Sequence, residues 1–365
     1  MSKLTARYEA NPFGCDTNPT KLKQSKIAAI WIQNPAQRGI FSFSEKPPAS
    51  GRISKSSNRK NLKEALVMNN YLEITRTGKN DWWRYLLSLS TILTIWFVIG
   101  SIPIMLLLGY VMLDGDPATN FTATGFTGIS VLLDFSATML TFLPFITATL
   151  LAVRFIHARP LNTLITSAPH IRWKRLLAGA GAWFALAVLI SFIEAMLYPG
   201  RYVLTFQPLL LFFYFLLAVI LIPIQTSAEE LFFRGYLLQW MGLKLKNKWI
   251  LSFINGVLFF LPHMLNPEMA VNGILMALAY FAFGFFACYV TLQDNGLELA
   301  LGMHAANNLF SALFANYTVT ALPSPALFTI QTLDPAYGFV ASTIAMIIFY
   351  GIFFGRNPQP SPILE

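Results

Sequence analysis

The amino-acid sequence predicts an all-α, polytopic membrane protein, and three observations support that fold class. Of the 365 residues, 55% are hydrophobic and 15% are aromatic. Only 12% are charged, which is about half the share found in a typical soluble domain. The apolar residues fall in blocks of about 20, the length that a helix needs to cross a bilayer. We therefore predict one helical membrane domain behind an extramembrane arm.

The arm comprises residues 1–67, which are rich in Ser, Lys, Asn, Pro and Gly and lack sustained periodicity. Such a composition predicts disorder. Residues 1–84 contain 15 Lys and Arg against 6 Asp and Glu, and the remaining residues contain 11 of each, so this region carries the whole net charge of +9. The basic pI therefore says nothing about nucleic-acid binding by the membrane domain, residues 68–365, for which we predict no nucleic-acid partner. The basic arm suits a cytoplasmic location facing anionic lipid, and a merely solvated tail is an equally good interpretation.

The apolar blocks predict eight membrane spans. They lie at 85–113, 128–153, 176–198, 208–228, 249–265, 271–292, 297–316 and 337–355. The fourth is predicted to continue as a helix to about Trp240, and the short fifth contains Pro262, which favours a kink. Lys and Arg cluster after the second and fourth spans, whereas most charges in the intervening loops are acidic. By the positive-inside rule both termini are cytoplasmic, and a bacterial inner membrane is the default location.

Acidic residues inside the spans are costly to bury and point to function. Asp134 and Glu194 lie near the outer ends of their spans, where an interfacial or paired role is the simpler interpretation. Glu230 and Arg234 are four residues apart, so they share a helical face and can form an ion pair. Glu229 points about 100° away from that face. It has no local charge partner, which makes it a candidate general base.

Two later spans each carry a histidine with a partner four residues away. Phe259 shares a helical face with His263, and His304 shares one with Asn308. Either pair alone would be an ordinary packing feature, but with so little other charge in the spans we predict that they converge with Glu229. Glu229 and His263 can then hold and deprotonate a water. His304 and Asn308 can donate hydrogen bonds to the oxyanion formed when that water attacks a carbonyl.

Zinc is an alternative for the same residues. Glu229, His263 and His304 have the composition of a two-histidine, one-carboxylate zinc site with water as the fourth ligand. The sequence contains no His-Glu-x-x-His, so no local spacing requires a metal. Cys15 and Cys288 are the only cysteines, which argues against a disulfide framework and against a thiolate metal site.

Taken in order, the three motifs resemble those of the CAAX-processing and bacteriocin-immunity membrane proteases, the Rce1-like (CPBP) family. That family carries Glu-Glu-x-x-x-Arg, then Phe-x-x-x-His, then His-x-x-x-Asn or Asp. The corresponding residues here are Glu229, Glu230, Arg234, Phe259, His263, His304 and Asn308. The resemblance covers residues 170–320 well and the first two spans loosely. It does not reach the arm.

The resemblance implies an intramembrane endopeptidase with a conical active-site cavity open to the cytoplasm. It implies that Glu229, His263 and His304 are catalytic, that Asn308 lies on the oxyanion side, and that water is activated by glutamate without a required cofactor. The implied substrate is a membrane-associated or lipidated protein or peptide. Cleavage of prenylated CAAX proteins is not carried over, because the loops resemble those of bacterial members, where such substrates are generally absent.

Three other functions compete with a peptidase. The same fold can act without catalysis, as a membrane scaffold or as an immunity protein against a membrane-active peptide. A transporter would use buried Glu and His to relay protons, but the sequence shows no internal repeat of the kind that transporters carry. A purely structural membrane protein leaves Glu229 unexplained. The sequence specifies neither the substrate nor the oligomeric state.

Overall fold

The structure is a computed structural model that describes residues 70–122 and 125–355. The predicted arm at 1–67 lies outside the described residues, so its disorder stays a prediction. The described chain is predominantly helical, which confirms the predicted class of polytopic helical membrane protein. A helix satisfies all of its main-chain hydrogen bonds within itself, which is why apolar blocks of this length become helices in lipid.

Ten α-helices of ten residues or more form most of the described domain. They are α1 (Trp82–Val98), α2 (Ile102–Leu113), α3 (Val131–Leu140), α4 (Phe142–Leu151), α5 (Trp173–Leu197), α6 (Pro208–Glu230), α7 (Lys248–His263), α8 (Gly273–Asp294), α9 (Glu298–Leu313) and α10 (Pro335–Phe354). A π-helical turn prolongs α4 to Ile156, and a π-helical segment followed by a short helix prolongs α6 to Met241. The predicted continuation of the fourth span to about Trp240 is therefore present.

Six stretches of the described residues are long and apolar enough to cross a membrane. They are Trp82–Leu113, Val131–Ile156, Trp173–Leu197, Pro208–Met241, Gly273–Asp294 and Pro335–Phe354. The spans predicted at 249–265 and 297–316 are helices of 16 residues each, α7 and α9, about 24 Å long at 1.5 Å per residue. The count of eight spans is therefore not confirmed and stays a prediction.

One end of the helical domain, the basic end, is built from the segment before α1 and the connections α4–α5, α6–α7 and α8–α9. Arg172 binds Glu298 through Nε (3.0 Å) and Nη2 (2.6 Å), and its Nη2 also lies 2.9 Å from Asp294. Tyr71 donates from its hydroxyl to the Leu164 carbonyl at 2.6 Å. These contacts fix the α4–α5 connection to the start of α9 and to the segment that enters α1.

The opposite end, the strand end, carries short strands that the sequence did not predict. They are β1 (Asn120–Thr122), β2 (Gly125–Thr127), β3 (Tyr202–Leu204), β4 (Ala315–Tyr317) and β5 (Phe328–Ile330). β3 pairs antiparallel and β4 parallel with β5, which joins the α5–α6 loop to the α9–α10 loop. At the end of α5, Glu194 accepts hydrogen bonds from Arg201 (2.9 Å) and Tyr202 (2.7 Å). This confirms the paired role expected for Glu194.

Glycines allow the helices around the site to approach closely. A Cβ on Gly302 of α9 would lie 2.0 Å from the Leu176 carbonyl oxygen of α5. A Cβ on Gly284 of α8 would lie 2.8 Å from the Cβ of Phe259 on α7. Small residues at such crossings are typical of helix packing in membranes. They bring α5, α7, α8 and α9 together around the residues that carry the motifs.

Candidate active site

A cavity of about 490 Å³ is lined by side chains from most of the helices. All three motifs reach it, through Glu229, Phe259, His263, His304 and Asn308. The predicted convergence of three separate spans is thus present in the structure. The remaining lining is mostly aromatic and aliphatic, so the polar residues of the motifs are concentrated in an apolar enclosure.

Glu230 lies at the centre of the polar network although it does not line the cavity. It is fully buried, and its Oε1 accepts a hydrogen bond from Arg234 Nη1 at 2.7 Å, the contact that the four-residue spacing predicts. The same oxygen lies 2.8 Å from His304 Nδ1. Since a carboxylate can only accept, Nδ1 is the protonated nitrogen in this contact. Glu230 therefore fixes both the orientation of the His304 ring and the position of one of its protons.

The other ring nitrogen of His304 faces the second glutamate. His304 Nε2 lies 3.6 Å from Glu229 Oε2, so the imidazole is held between the two adjacent carboxylates. Glu229 is 8% exposed. Its Oε2 is buried and accepts no hydrogen bond from any residue of the described ranges. Glu229 as a residue lines the cavity, and a carboxylate in that position is able to take a proton from a bound molecule.

His263 is oriented by its own helix. Its Nδ1 lies 2.7 Å from the carbonyl oxygen of Phe259, to which it must donate, so Nε2 carries the lone pair in the neutral ring. The ring packs between the Phe259 ring at 4.6 Å and the Tyr280 ring at 4.4 Å, measured between centroids. The tautomer and the plane of His263 are therefore both constrained.

Asn308 is held by an amide that the sequence did not single out. Its Nδ2 donates to Gln225 Oε1 at 3.0 Å, and its Oδ1 accepts from Asn307 Nδ2 at 3.0 Å. Trp183 in turn donates to Asn307 Oδ1 at 3.1 Å. Gln225 precedes Glu229 by four residues and thus shares its helical face. A polar amide at that spacing in an apolar span is the signal that could have found it.

The segment Leu231–Leu237 is π-helical, and it begins directly after the two glutamates. Its residues are all buried. The wider turn leaves main-chain carbonyls to be satisfied from outside, and Asn255 donates to the Phe233 carbonyl at 2.7 Å. π-Helical segments often occur at functional sites. Here the segment carries Arg234, whose Nη2 donates to the Gly284 carbonyl at 3.3 Å and whose guanidinium lies 4.2 Å from the Phe259 ring centroid.

The zinc alternative is not supported. Within residues 70–122 and 125–355, no group of three or more His, Cys, Asp or Glu side chains is arranged to hold a metal ion. Glu229, His263 and His304 therefore do not fit a zinc centre in this arrangement.

The cavity reaches the strand end of the domain. Its lining includes Asn266 and Glu268 from the α7–α8 loop and residues 316, 317 and 319–322 from the α9–α10 loop. Below Glu229, towards the basic end, residues 231–238 are all buried. The resemblance implies that the cavity opens to the cytoplasm, whereas the loop charges predict that the basic end is cytoplasmic. The cavity reaches the strand end, which is the opposite end of the domain. The structure therefore does not confirm a cytoplasmic mouth.

The helical fold, with six stretches long and apolar enough to cross a membrane among the described residues, supports an integral membrane protein. Residues 205–310 match the family described as type II CAAX prenyl endopeptidase Rce1-like. The chain is also 33% identical over 277 residues to the uncharacterised protein YyaK of Bacillus subtilis strain 168, covering 75% of this chain and 92% of that protein. No solved structure matches the chain significantly. The chain belongs to the Rce1-like family of CAAX prenyl endopeptidases, which confirms the resemblance drawn from its motifs.

Proposed function

We propose that this protein is an intramembrane endopeptidase that hydrolyses a peptide bond in a membrane-associated or lipidated protein or peptide. The position of Glu229 carries the proposal: this residue lines an apolar cavity, and its Oε2 accepts no hydrogen bond within the described residues and lies 3.6 Å from His304 Nε2. An acid placed this way, with a second histidine on the same cavity, suits a general base acting on water. Family membership supports the same class of reaction.

In this mechanism Glu229 removes one proton from a water molecule. The other hydrogen stays on the water oxygen and donates a hydrogen bond to the Nε2 lone pair of His263. The water oxygen forms a bond to the carbonyl carbon of the substrate, and the carbonyl oxygen becomes an oxyanion. When the carbon–nitrogen bond breaks, the proton held by Glu229 passes to the leaving nitrogen. The products are a carboxylic acid and an amine, and Glu229 returns to its starting state.

The oxyanion is stabilised by His304 and Asn308. Asn308 Nδ2 has two hydrogens and gives one to Gln225, so the other can be directed to the substrate. His304 donates from Nε2 when that nitrogen is protonated. Glu230, whose Oε1 contacts His304 Nδ1, is then the counter-ion of the imidazolium. Preorganised donors of this kind commonly contribute about 10²–10³ in rate each.

The test is cleavage of a library of fluorogenic and lipidated peptides by the purified full chain in detergent. Glu229→Gln and His263→Ala are each expected to lower the rate by about 10²–10⁴. Asp134→Asn is the matched control, since it removes a carboxylate from a span, and Asp134 does not line the cavity. A zinc chelator added to each reaction is expected to leave the rate unchanged.

The outcomes separate this proposal from its rivals. Loss of cleavage with chelator and recovery with zinc would overturn the metal-free mechanism. If Glu229→Gln and His263→Ala both retain full function in cells, catalysis is not the role, and a scaffold or a bacteriocin-immunity protein of the same fold replaces it. Proton-coupled uptake into proteoliposomes would instead support a transporter.

A further inference from the structure

We propose that the candidate active site is entered from the extracytoplasmic face, so that its substrates are segments of exported or externally exposed proteins. That the molecules entering the site are substrates rests on the proposed function, whereas the route of entry rests on geometry and charge. It differs from the cytoplasmic mouth that the resemblance implies.

The first step is the direction of the cavity. Its lining residues on α8 lie in the half of that helix nearest the strand end, and its loop residues come from the connections after α7 and after α9. In the other direction, Glu230 and Arg234 are fully buried, and residues 297–304 are buried as well. The cavity is thus closed towards the basic end and reaches the loops of the strand end.

The second step is the distribution of charge. The described residues contain 13 Lys and Arg, and 11 of them lie at the basic end. These are Arg76, Lys79, Arg84, Arg154, Arg159, Arg172, Lys174, Arg175, Lys244, Lys246 and Lys248. Arg234 is inside the domain, and Arg201 alone lies at the strand end of the described chain. An excess of 11 to 1 strongly favours a cytoplasmic basic end. The mouth, at the opposite end, then faces the outside.

Cysteine labelling tests this orientation without any need for catalysis. In a chain with Cys15→Ser and Cys288→Ala, single cysteines are introduced as Val319→Cys at the exposed rim, Ser311→Cys inside the cavity and Lys244→Cys at the basic end. Intact cells expressing each variant are treated with a small membrane-impermeant thiol reagent, before and after permeabilisation. We expect the first two to react in intact cells and the third only after permeabilisation.

Two results would overturn the proposal. One is the reverse pattern, with Lys244→Cys reactive in intact cells and Val319→Cys protected. The other is a Val319→Cys that reacts from outside while Ser311→Cys does not, since the rim would then not lead into the cavity. Because labelling reads position alone, a failure here is distinguishable from a failure of the peptidase proposal, which is read by the cleavage assay.

A second inference comes from an independent feature at the same mouth: we infer that Glu268 binds a positively charged group of the ligand. Glu268 is 8% exposed and lines the cavity. Its Oε1 accepts the Tyr280 hydroxyl, and Tyr280 in turn accepts a hydrogen bond from Asn266 Nδ2 at 2.9 Å. Its Oε2 is buried without a hydrogen-bond partner in the described chain, and none of the ion pairs of those residues includes it.

A buried carboxylate without a compensating cation is costly, and a cation supplied by the ligand offsets that cost. The Tyr280 ring also contacts the His263 ring, so Glu268 lies one side chain away from the proposed water site. The chemistry that fits is a lysine or arginine side chain, or a free amine, close to the bond that is cut. This second inference rests on the proposed function for the position of that bond.

Binding to Glu229→Gln protein tests Glu268 whether or not cleavage is ever observed. The probes are decapeptides with one lysine at each successive position, paired with the same peptides carrying neutral acetyl-lysine. At one or more positions we expect at least about tenfold tighter binding of the lysine peptide, and we expect the added change Glu268→Gln to abolish that preference. Asp116→Asn, an exposed acid at the same end, is the control. A preference that survives Glu268→Gln, or no preference at all, would refute the inference.

Discussion

Removal of Arg234 is expected to destabilise the protein because it leaves a buried carboxylate without its cation. Arg234 and Glu230 are both fully buried, and their contact distance is 2.7 Å. Arg234→Met keeps much of the side-chain length but removes the charge. Breaking a buried ion pair by removing one partner typically costs about 3–5 kcal/mol. At about 2 °C per kcal/mol for a domain of this size, thermal unfolding should fall by at least about 6 °C.

The double variant Glu230→Gln with Arg234→Met separates charge from shape. If the uncompensated charge is the cause, the neutral amide recovers most of the lost thermal stability, because no buried ion remains. Activity should stay low in the double variant, since His304 Nδ1 then meets a neutral amide instead of the carboxylate that it contacts at 2.8 Å. Recovery of stability without recovery of activity is the expected signature.

The assay is thermal unfolding of purified protein in detergent, followed by tryptophan fluorescence, with peptide cleavage measured on the same samples. Three results would contradict this account of the pair. Arg234→Met could unfold at the wild-type temperature. The double variant could be as unstable as Arg234→Met, which would make lost packing on Phe259 the cause. The double variant could also cleave peptides at the wild-type rate.

Three further predictions concern packing, pH and the site amide. Gly302→Ala should lower the free energy of unfolding by about 1–3 kcal/mol, since its Cβ would meet a main-chain oxygen of α5. A Cβ at Gly338 would meet nothing within 4 Å, so Gly338→Ala should leave stability unchanged or raise it. Thermal unfolding measures both variants. Burial lowers the pKa of His157, so the unfolded chain binds that proton more readily and stability falls as pH drops below about 6.5. His157→Gln should reduce that fall in unfolding temperature, and His170→Gln, at an exposed position, should not. Gln225→Ala should lower kcat in the cleavage assay, by less than the roughly 10²-fold expected for loss of an oxyanion donor itself.

The motif residues could be predicted because four-residue spacing fixes a shared helical face within one span. That is how the contacts of Arg234 with Glu230 and of Phe259 with His263 were accessible from sequence. The contact of His304 with Glu230 was not, because it depends on how α6 and α9 cross. No local periodicity encodes such a crossing. The glycine at 302 that permits close approach of α9 is visible in the sequence, but its partner helix is not.

The ends of the domain were the least predictable part. The strands contain three residues each, too few for an alternating pattern to stand out from loop sequence. The π-helical segment Leu231–Leu237 reads as ordinary apolar helix, because its extra residue per turn leaves no mark in composition. The direction of the cavity follows from those same features. Resemblance to a family could therefore suggest to which side of the membrane the cavity opens. Only the packing between Glu229 and the basic end shows which end of the cavity is closed.

That packing has a consequence for the cell that holds the protein. Water that enters the cavity reaches Glu229 and meets a layer in which Phe232, Phe233 and Tyr236 are buried. A pocket that ends blindly hydrates an acid deep in the bilayer without joining the two aqueous compartments. The membrane can then keep its ion gradients and its voltage while a water-consuming site operates within its thickness.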